Sequence, residues 1–243
     1  MSDPPTQPDP SAAVIAPARH PLKLAAAAAR ANLRPGIILW AFGALIVGCY
    51  FYLPAAHDLL TRLGGIKDRL GLAFSVPSTV LFAALIPYAL QQLTPLKRPF
   101  NPKYLLFLVA FWAWKGAEVD LLYRLQAHLF GDNRAPATIA IKVFVDQFIY
   151  VTIWAAPTMA FPFFWAENTF RLGPVRRVLR GPWYRRIVVP ILVPNWLVWI
   201  PAVALIYMLP LPLQLPIQNV ILCMWSCMLL FIAYHNKNAG EPI

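Results

Sequence analysis

The chain has 243 residues, of which 59% are hydrophobic and 13% charged, with a formal net charge of +11 and a mean hydropathy of +0.57. This composition excludes an ordinary soluble domain and indicates an all-α, polytopic membrane protein. The basic residues lie in short groups between apolar segments, with no base-stacking module, so the charge does not indicate nucleic-acid binding.

The first part of the chain, residues 1–34, is rich in proline and alanine and is predicted to form a disordered arm followed by a short alanine-rich helix. Six apolar segments follow, each long enough to cross a bilayer as a helix. They cover residues 35–53, 72–93, 104–123, 137–165, 187–209 and 213–234. Their internal prolines predict kinks, and the fifth segment, with Pro190, Pro194 and Pro201, would also fit a broken helix.

The basic residues between the segments predict an orientation. With six spans and both chain ends in the cytoplasm, fourteen basic residues lie inside and five outside, Lys67 among the latter. This asymmetry agrees with the positive-inside rule and favours six spans.

Ionisable side chains interrupt two of the apolar segments. They are Lys115, Glu118 and Asp120 in the third segment, and Lys142 and Asp146, followed by Gln147, in the fourth. A charge at the bilayer centre costs about 2.5 to 3.5 kcal/mol on insertion scales. These groups are therefore predicted to face the interior of the helix bundle or an aqueous cavity.

Helical spacing predicts how these charges pair. Lys115 and Glu118, three residues apart, share a helix face, as do Lys142 and Asp146, four residues apart. Asp120 lies about 200° around the helix from Glu118 and is expected to find its partner in Lys142 or Arg124. Two interpretations stay open: ion pairs that fix helix order, or charges that line a solvated pathway.

The connection between the fourth and fifth segments contains six arginines with apolar residues between them. They are Arg171, Arg176, Arg177, Arg180, Arg185 and Arg186. Such a cluster is typical of a surface that binds anionic lipid headgroups, and equally of a solvated loop that only sets topology.

No nucleotide-binding loop, metalloprotease motif or nucleophile elbow occurs in the sequence. The cysteines, Cys49, Cys223 and Cys227, lie in apolar segments without histidine neighbours, which argues against a disulfide framework or a zinc site. We therefore expect no metal, no cofactor and no enzymatic activity. An intramembrane enzyme that uses one acid and a nucleophile is the third alternative.

An ordered series of residues from about 72 to 235 carries a family resemblance. The series is Gln91, Gln92, Tyr123, Lys142, Asp146, Gln147, Trp183, Asn195, Trp199, Pro201 and Trp225. It resembles the family typified by the twenty-two-kilodalton peroxisomal membrane protein and the Mpv-seventeen protein of the inner mitochondrial membrane. Members are regarded as small membrane channels or pores, so the resemblance implies a pore.

The resemblance divides the chain into an arm (1–34), an added first span and loop (35–71), a family-like domain (72–235) and a C-terminal tail (236–243). It implies a divergent bacterial member in the inner membrane, with the mitochondrial inner membrane and the peroxisomal membrane as alternatives. We predict a channel or pore for small ions or metabolites, lined or gated by the intramembrane charges. A non-catalytic membrane scaffold, in which the same charges are structural, is the alternative.

Overall fold

The computed structural model describes residues 21–94 and 99–239. At residues 21–25, 27 and 233–239 it describes the backbone only. Within these ranges the chain is all-helical, as predicted, and forms eight helices. They are α1 (Pro21–Tyr52), α2 (Pro54–Leu70), α3 (Leu72–Gln92), α4 (Pro102–Phe130), α5 (Pro136–Glu167), α6 (Leu172–Leu179), α7 (Tyr184–Tyr207) and α8 (Leu211–Ala239).

Five helices are long and apolar enough to cross a membrane. They are α1 over Ala28–Tyr52, α3, α5, α7, and α8 over Leu211–Ile232. Large apolar side chains stay exposed along them, including Leu45 and Ile153, as expected of a bundle surrounded by lipid. The chain is therefore an integral membrane protein built as a helical bundle.

Helix α4, the third predicted span, differs from the other five. It has 29 residues, or about 43 Å at roughly 1.5 Å per residue, so its length suffices for a bilayer. Because it contains charged residues, α4 is less apolar than the five helices named above. Its outer side presents Leu106, Leu121 and Leu125, whereas Lys115 and Asp120 are buried. The charges of α4 thus face inward, as predicted.

The N-terminal part differs from the prediction. The alanine-rich helix and the first span are one continuous helix, α1, and the expected loop after it is helix α2. Gly71 ends α2 with a φ of +56°, a conformation that glycine adopts without strain, and its N–H donates to the carbonyl of Lys67. The predicted arm over 1–20 lies outside the described residues. The predicted tail begins inside α8, which continues to Ala239, and its last residues, 240–243, also lie outside them.

Three helices contain a wider, π-helical segment just before a proline. The segments are Val80–Leu85 before Pro87, Val145–Ala155 before Pro157, and Tyr184–Val188 before Pro190. Proline lacks an N–H, and its ring clashes with the carbonyl four residues earlier, which lies inside the π segment in each case. The preceding turns widen in response. The fifth predicted segment is therefore one continuous helix and not a broken one.

The hydrophobic core joins α1, α7 and α8. Leu39 and Val47 of α1 pack in one cluster with Val198 and Ile206 of α7 and Ile217 of α8. The α1–α7 contact is the most extensive in the bundle, and α8 also contacts α2, α3 and α4. This apolar contact holds α1, α7 and α8 together, while the buried polar and charged side chains come from α2, α3, α4, α5 and α8.

Helices α3 and α4 approach each other closely at Gly116. A Cβ atom at this position would lie 2.8 Å from the side chain of Thr79 and 3.0 Å from the carbonyl oxygen of Ser75. The side-chain amide of Asn219 on α8 donates to the Thr79 hydroxyl at 3.0 Å. The absence of a side chain at Gly116 therefore fixes how near α3 lies to the charged face of α4.

Candidate functional site

The first group of buried charges, which we call the ion-pair cluster, consists of Lys67, Asp120 and Arg124. The ammonium of Lys67 on α2 donates to Oδ1 of Asp120 on α4, and both residues are only 1% exposed. The guanidinium of Arg124, one turn further along α4, donates to Oδ2 of Asp120 at 2.9 Å. The predicted pairing of Asp120 with Arg124 is confirmed. The alternative prediction, that Lys142 pairs with Asp120, is wrong. The cation that reaches Asp120 from another helix is Lys67.

Lys67 was expected outside the bundle, in a loop, because residues 54–71 lack the hydropathy of a span. In α2 it lies on the same face as Gly64, which packs against Leu213, and Leu60, which packs against the core. The spacing of Leu60, Gly64 and Lys67 is that of one helix face. This periodicity is the sequence signal that would have placed Lys67 inside.

A second group lies one turn earlier on α4. The ammonium of Lys115 donates to Glu118 at 2.7 Å, as predicted, and to the hydroxyl of Thr158 on α5 at 2.8 Å. The hydroxyl of Tyr150 on α5 donates to the same oxygen of Glu118. The Lys115 charge is therefore matched by a carboxylate in direct contact, and the two groups join α4 to α5.

The predicted pair of Lys142 and Asp146 is wrong. Helical side chains lean toward the N-terminus of their helix. Lys142 accordingly reaches back toward Asp132 in the α4–α5 connection, with 3.9 Å between the ammonium and the carboxylate. Its ammonium also lies 5.6 Å from the centroid of the Tyr207 ring. Among the described residues, no ion pair reaches Asp146.

Asp146 is instead held by neutral donors. The hydroxyl of Tyr207 on α7 donates to Oδ2 at 2.8 Å, and the side-chain amide of Gln147 donates to Oδ1 at 2.8 Å. The Gln126 amide of α4 donates to the same Tyr207 hydroxyl at 2.6 Å, and the Asn195 amide donates to Gln147 at 3.3 Å. The carboxylate is thus oriented by three helices without a cation in contact.

A cavity of about 280 Å³, which we call the central cavity, lies between α4, α5, α7 and α8. Its polar lining consists of Lys115, Asp146, Gln147, Tyr150, Asn195 and Gln218. The buried side-chain oxygen of Gln218 has no hydrogen-bond partner. The indole rings of Trp112, Trp199 and Trp225 supply much of the remaining wall. This is the place in the described chain where charge, unpaired polar atoms and open space meet.

The predicted site residues divide between this cavity and other surroundings. Those that line the cavity are Lys115, Asp146, Gln147, Asn195, Trp199 and Trp225. Those that do not line it are Glu118, Asp120, Lys142, Gln91, Gln92, Tyr123, Trp183 and Pro201. The predicted set therefore does not form one continuous lining, although five residues of the motif series, Asp146, Gln147, Asn195, Trp199 and Trp225, converge on the cavity.

Sequence reasoning missed two tyrosines of the site, Tyr150 and Tyr207. Tyr150 bonds to Glu118, and Tyr207 joins Asp146 to Gln126. Tyr150 is one helical turn from Asp146, which was a usable signal, whereas Tyr207 lies 61 residues away and only the fold brings it near. The ring of Tyr123 packs edge-on against Tyr207 at 5.4 Å, with its buried hydroxyl unpaired.

All six predicted arginines are exposed, four between α5 and α7 and two, Arg185 and Arg186, in the first turn of α7. A second cavity, of about 200 Å³, lies beside them and is lined by Arg177, Trp183 and Arg186. The Trp183 ring packs at 5.1 Å against Phe161 on α5, which fixes one wall of this cavity. The arrangement places two guanidinium groups and an indole around one opening at the end of α7.

Over residues 21–94 and 99–239, no group of three or more His, Cys, Asp or Glu side chains is placed to hold a metal ion. No protein-family model, curated protein or solved structure matches the chain. The family resemblance therefore stays a prediction, and the functional argument depends on the geometry of the site.

Proposed function

We propose that this integral membrane protein is a channel or pore for small ions or metabolites, and that the central cavity is part of its path. The observation that carries the proposal is that Lys115 and Asp146 both border a cavity of about 280 Å³ among four helices. Intramembrane charges of this kind mark solute pathways more often than other buried residues do.

The size of the cavity supports the proposal. A polar site needs about 10–15 Å³ of such volume to hold one water molecule, so several waters fit here. Small-molecule sites typically span about 300–1,000 Å³, and this cavity lies just below that range. It therefore suits a hydrated ion or a small metabolite better than a large ligand.

Solute flux through the reconstituted protein tests the proposal. Liposomes that contain the purified chain should release small ions faster than empty liposomes, and Asp146→Asn should reduce that flux at least tenfold because it removes the unmatched charge of the cavity. Asp132→Asn is the matched control, since Asp132 pairs with Lys142 outside the cavity and should leave flux unchanged. Absence of flux from the unmodified chain contradicts a pore.

A membrane scaffold is the second candidate, and the ion-pair cluster favours it. Lys67 and Asp120 form a buried ion pair, Arg124 adds a half-exposed contact to the same carboxylate, and none of the three lines the central cavity. If all the buried charges had this structural role, Asp146→Asn would alter the stability of the protein and leave any flux untouched. The flux measurement therefore separates the two candidates.

We also propose six spans, with α4 as the third, both chain ends in the cytoplasm and a bacterial inner membrane as the host. The length of α4 and its apolar outer side support this topology. A cysteine at Asn133, in a background without the native cysteines, should react with an impermeant maleimide in intact cells. A cysteine at Thr169 should react only after permeabilisation, and the reverse result would overturn the orientation.

The arginine-rich connection is proposed to bind anionic lipid headgroups. Arg177 and Arg186 flank one cavity and Trp183 supplies an interfacial ring, a combination suited to a phosphate at the membrane surface. Native mass spectrometry should show retained phosphatidylglycerol that is lost in Arg177→Gln/Arg186→Gln. Arg62→Gln, in helix α2, is the control. Equal retention in both variants would leave the arginines with a topological role only.

Proposed membership of the channel family named above has one further support. Five of the eleven members of the motif series come from three different helices and border the same cavity: Asp146, Gln147, Asn195, Trp199 and Trp225. A series that only stabilised packing would have no reason to converge on open space.

A further inference from the structure

We infer that the central cavity binds a small organic ammonium cation, with the carboxylate of Asp146 as its counter-charge. This deepens the proposed function, and it rests on that proposal in taking the bound cation to be a solute of the pore. The charge, the free acceptors, the aromatic walls and the size of the cavity all favour such a ligand.

The charges around the cavity do not balance. The ammonium of Lys115 is in contact with Glu118 at 2.7 Å, so this pair contributes no net charge. Asp146 has only neutral donors, the Tyr207 hydroxyl and the Gln147 amide. Lys142 is directed to Asp132 at the end of the helix, and no other ion pair of the described chain involves Asp146. The side chains around the cavity therefore carry one excess negative charge, which a monovalent cation would neutralise.

The cavity also has free acceptors. An ionised carboxylate offers about four lone-pair positions, and Asp146 uses two of them. The Gln218 oxygen is buried without a partner, and Gln218 lines the same cavity from α8. Of the three N–H bonds of Lys115, two are used by Glu118 and Thr158. The unused acceptor positions of Asp146 and the unpaired Gln218 oxygen favour a ligand that donates hydrogen bonds or carries positive charge.

The walls of the cavity distinguish an organic cation from a metal ion. Trp112, Trp199 and Trp225 border it together with Tyr150. Aromatic faces attract ammonium groups through the quadrupole of the ring, and clusters of them recognise alkylated ammonium ligands. Hard metal ions require a shell of about six oxygen ligands, which these apolar walls do not provide.

An anionic ligand fits poorly, because the only cation on the lining, Lys115, is already in contact with a carboxylate. A volume of about 280 Å³ lies below the range typical of drug-sized ligands. These two limits leave a compact monovalent ammonium, with a few carbon atoms around the nitrogen, as the class of ligand that completes the site.

The test is calorimetric titration of the purified full chain in nanodiscs with tetramethylammonium chloride, against sodium chloride at the same ionic strength. We expect saturable heat for tetramethylammonium and none for sodium. Asp146→Asn should weaken binding at least tenfold, whereas Asp132→Asn should bind as the unmodified chain does. Absence of saturable heat, or equal binding by Asp146→Asn, overturns the inference.

A second variant covers the case in which Asp146→Asn fails to fold. Gln218→Met removes the unpaired oxygen with little change in length and should weaken the binding of trimethylammonium severalfold, because its single N–H can donate to that oxygen. Unchanged binding in a folded Gln218→Met protein counts against the site. Liposome flux on the same preparations separates this inference from the pore: flux without ammonium binding overturns the inference and leaves the pore, whereas binding without flux overturns the pore and leaves the site.

Discussion

The ion-pair cluster and the central cavity both place a carboxylate inside the helix bundle, but the two carboxylates differ in what surrounds them. Asp120 contacts two cationic side chains, from α2 and α4, and does not border the cavity. Asp146 contacts only neutral donors and faces open volume. A charge in an apolar segment is therefore not by itself a sign of a solute path, because its partners and the adjacent space determine its role.

The contrast extends along a single helix. Lys115, Glu118 and Asp120 lie within two turns of α4, yet Lys115 borders the central cavity while Asp120 is tied to α2. One face of α4 thus joins the first part of the chain to the bundle, and the adjacent face contributes to the site. Substitutions on the first face should lower the stability of the fold, whereas substitutions on the second should mainly change the site.

The largest effect is expected for Asp120→Asn. Removal of this charge leaves Lys67 buried without a counter-charge, which typically costs about 3–5 kcal/mol. Denaturant or thermal unfolding in detergent should show the loss. The double variant Lys67→Met/Asp120→Leu removes both charges and should recover most of the stability. If Asp120→Asn is as stable as the unmodified chain, the Asp120 charge does not stabilise the fold, and the structural role of the ion-pair cluster is contradicted.

The next effect is expected for Gly116→Ala. The added Cβ would lie 2.8 Å from the Thr79 side chain, so α3 must move away from α4, at a cost of about 1–3 kcal/mol. Gly48→Ala in α1 is the control, because nothing lies within 4 Å of its added Cβ, and it should be neutral or stabilising. Equal melting temperatures for the two variants would show that the α3–α4 approach does not constrain the charged face.

A smaller effect is expected for Tyr207→Phe. The lost hydroxyl leaves Asp146 and Gln126 each short of one hydrogen bond, for a destabilisation of about 1 kcal/mol, since the cavity offers water to Asp146. Tyr123→Phe is the matched control in the ring that packs against it, because its hydroxyl has no partner to lose. A loss as large as that of Asp120→Asn would indicate that no water reaches the carboxylate.

The smallest effect is expected for Asp132→Asn. Its carboxylate lies 3.9 Å from the Lys142 ammonium, and its side chain is 46% exposed, so solvent screens the pair. Lys142 itself is buried, but its ammonium also lies 5.6 Å from the Tyr207 ring, so loss of this long and half-exposed contact should cost no more than about 1 kcal/mol. Unfolding of this variant should therefore be indistinguishable from that of the unmodified chain within about this limit, and a larger loss would place Lys142 with the ion-pair cluster.

Sequence could predict the helical class, because backbone groups in lipid must satisfy their hydrogen bonds within each segment. It could also predict that the charges face inward and that Lys115 pairs with Glu118, since these follow from cost and local spacing. It could not predict the partner of Asp120. Lys67 belongs to a helix with no hydropathy signal, and its distance of 53 residues along the chain is closed only by the tertiary fold.

The error at Lys142 has a different origin. Helical spacing placed Lys142 and Asp146 near one helix face. It did not take into account the direction in which long side chains lean or the donors from other residues that compete for the Asp146 carboxylate. The Tyr207 hydroxyl on α7 donates a hydrogen bond to the Asp146 carboxylate. Asp132 lies near the N-terminal end of α5, toward which the Lys142 side chain points. The cavity itself, which depends on how four helices meet, was beyond any local pattern.

The π-helical segment of α5 has a consequence for variation in this part of the chain. Val145–Ala155 contains Asp146, Gln147 and Tyr150, and Pro157 follows it. A wider turn accommodates a residue that an α-helix of the same length would not, so deletion of one residue here should be absorbed by a return to α-helix and leave the helix beyond it in register. Pro157→Ala should instead allow the segment to tighten with all its residues retained, which would rotate the part of α5 beyond it by about 100° per residue taken up. A proline that does not border the central cavity would thus decide which side chains of α5 reach it.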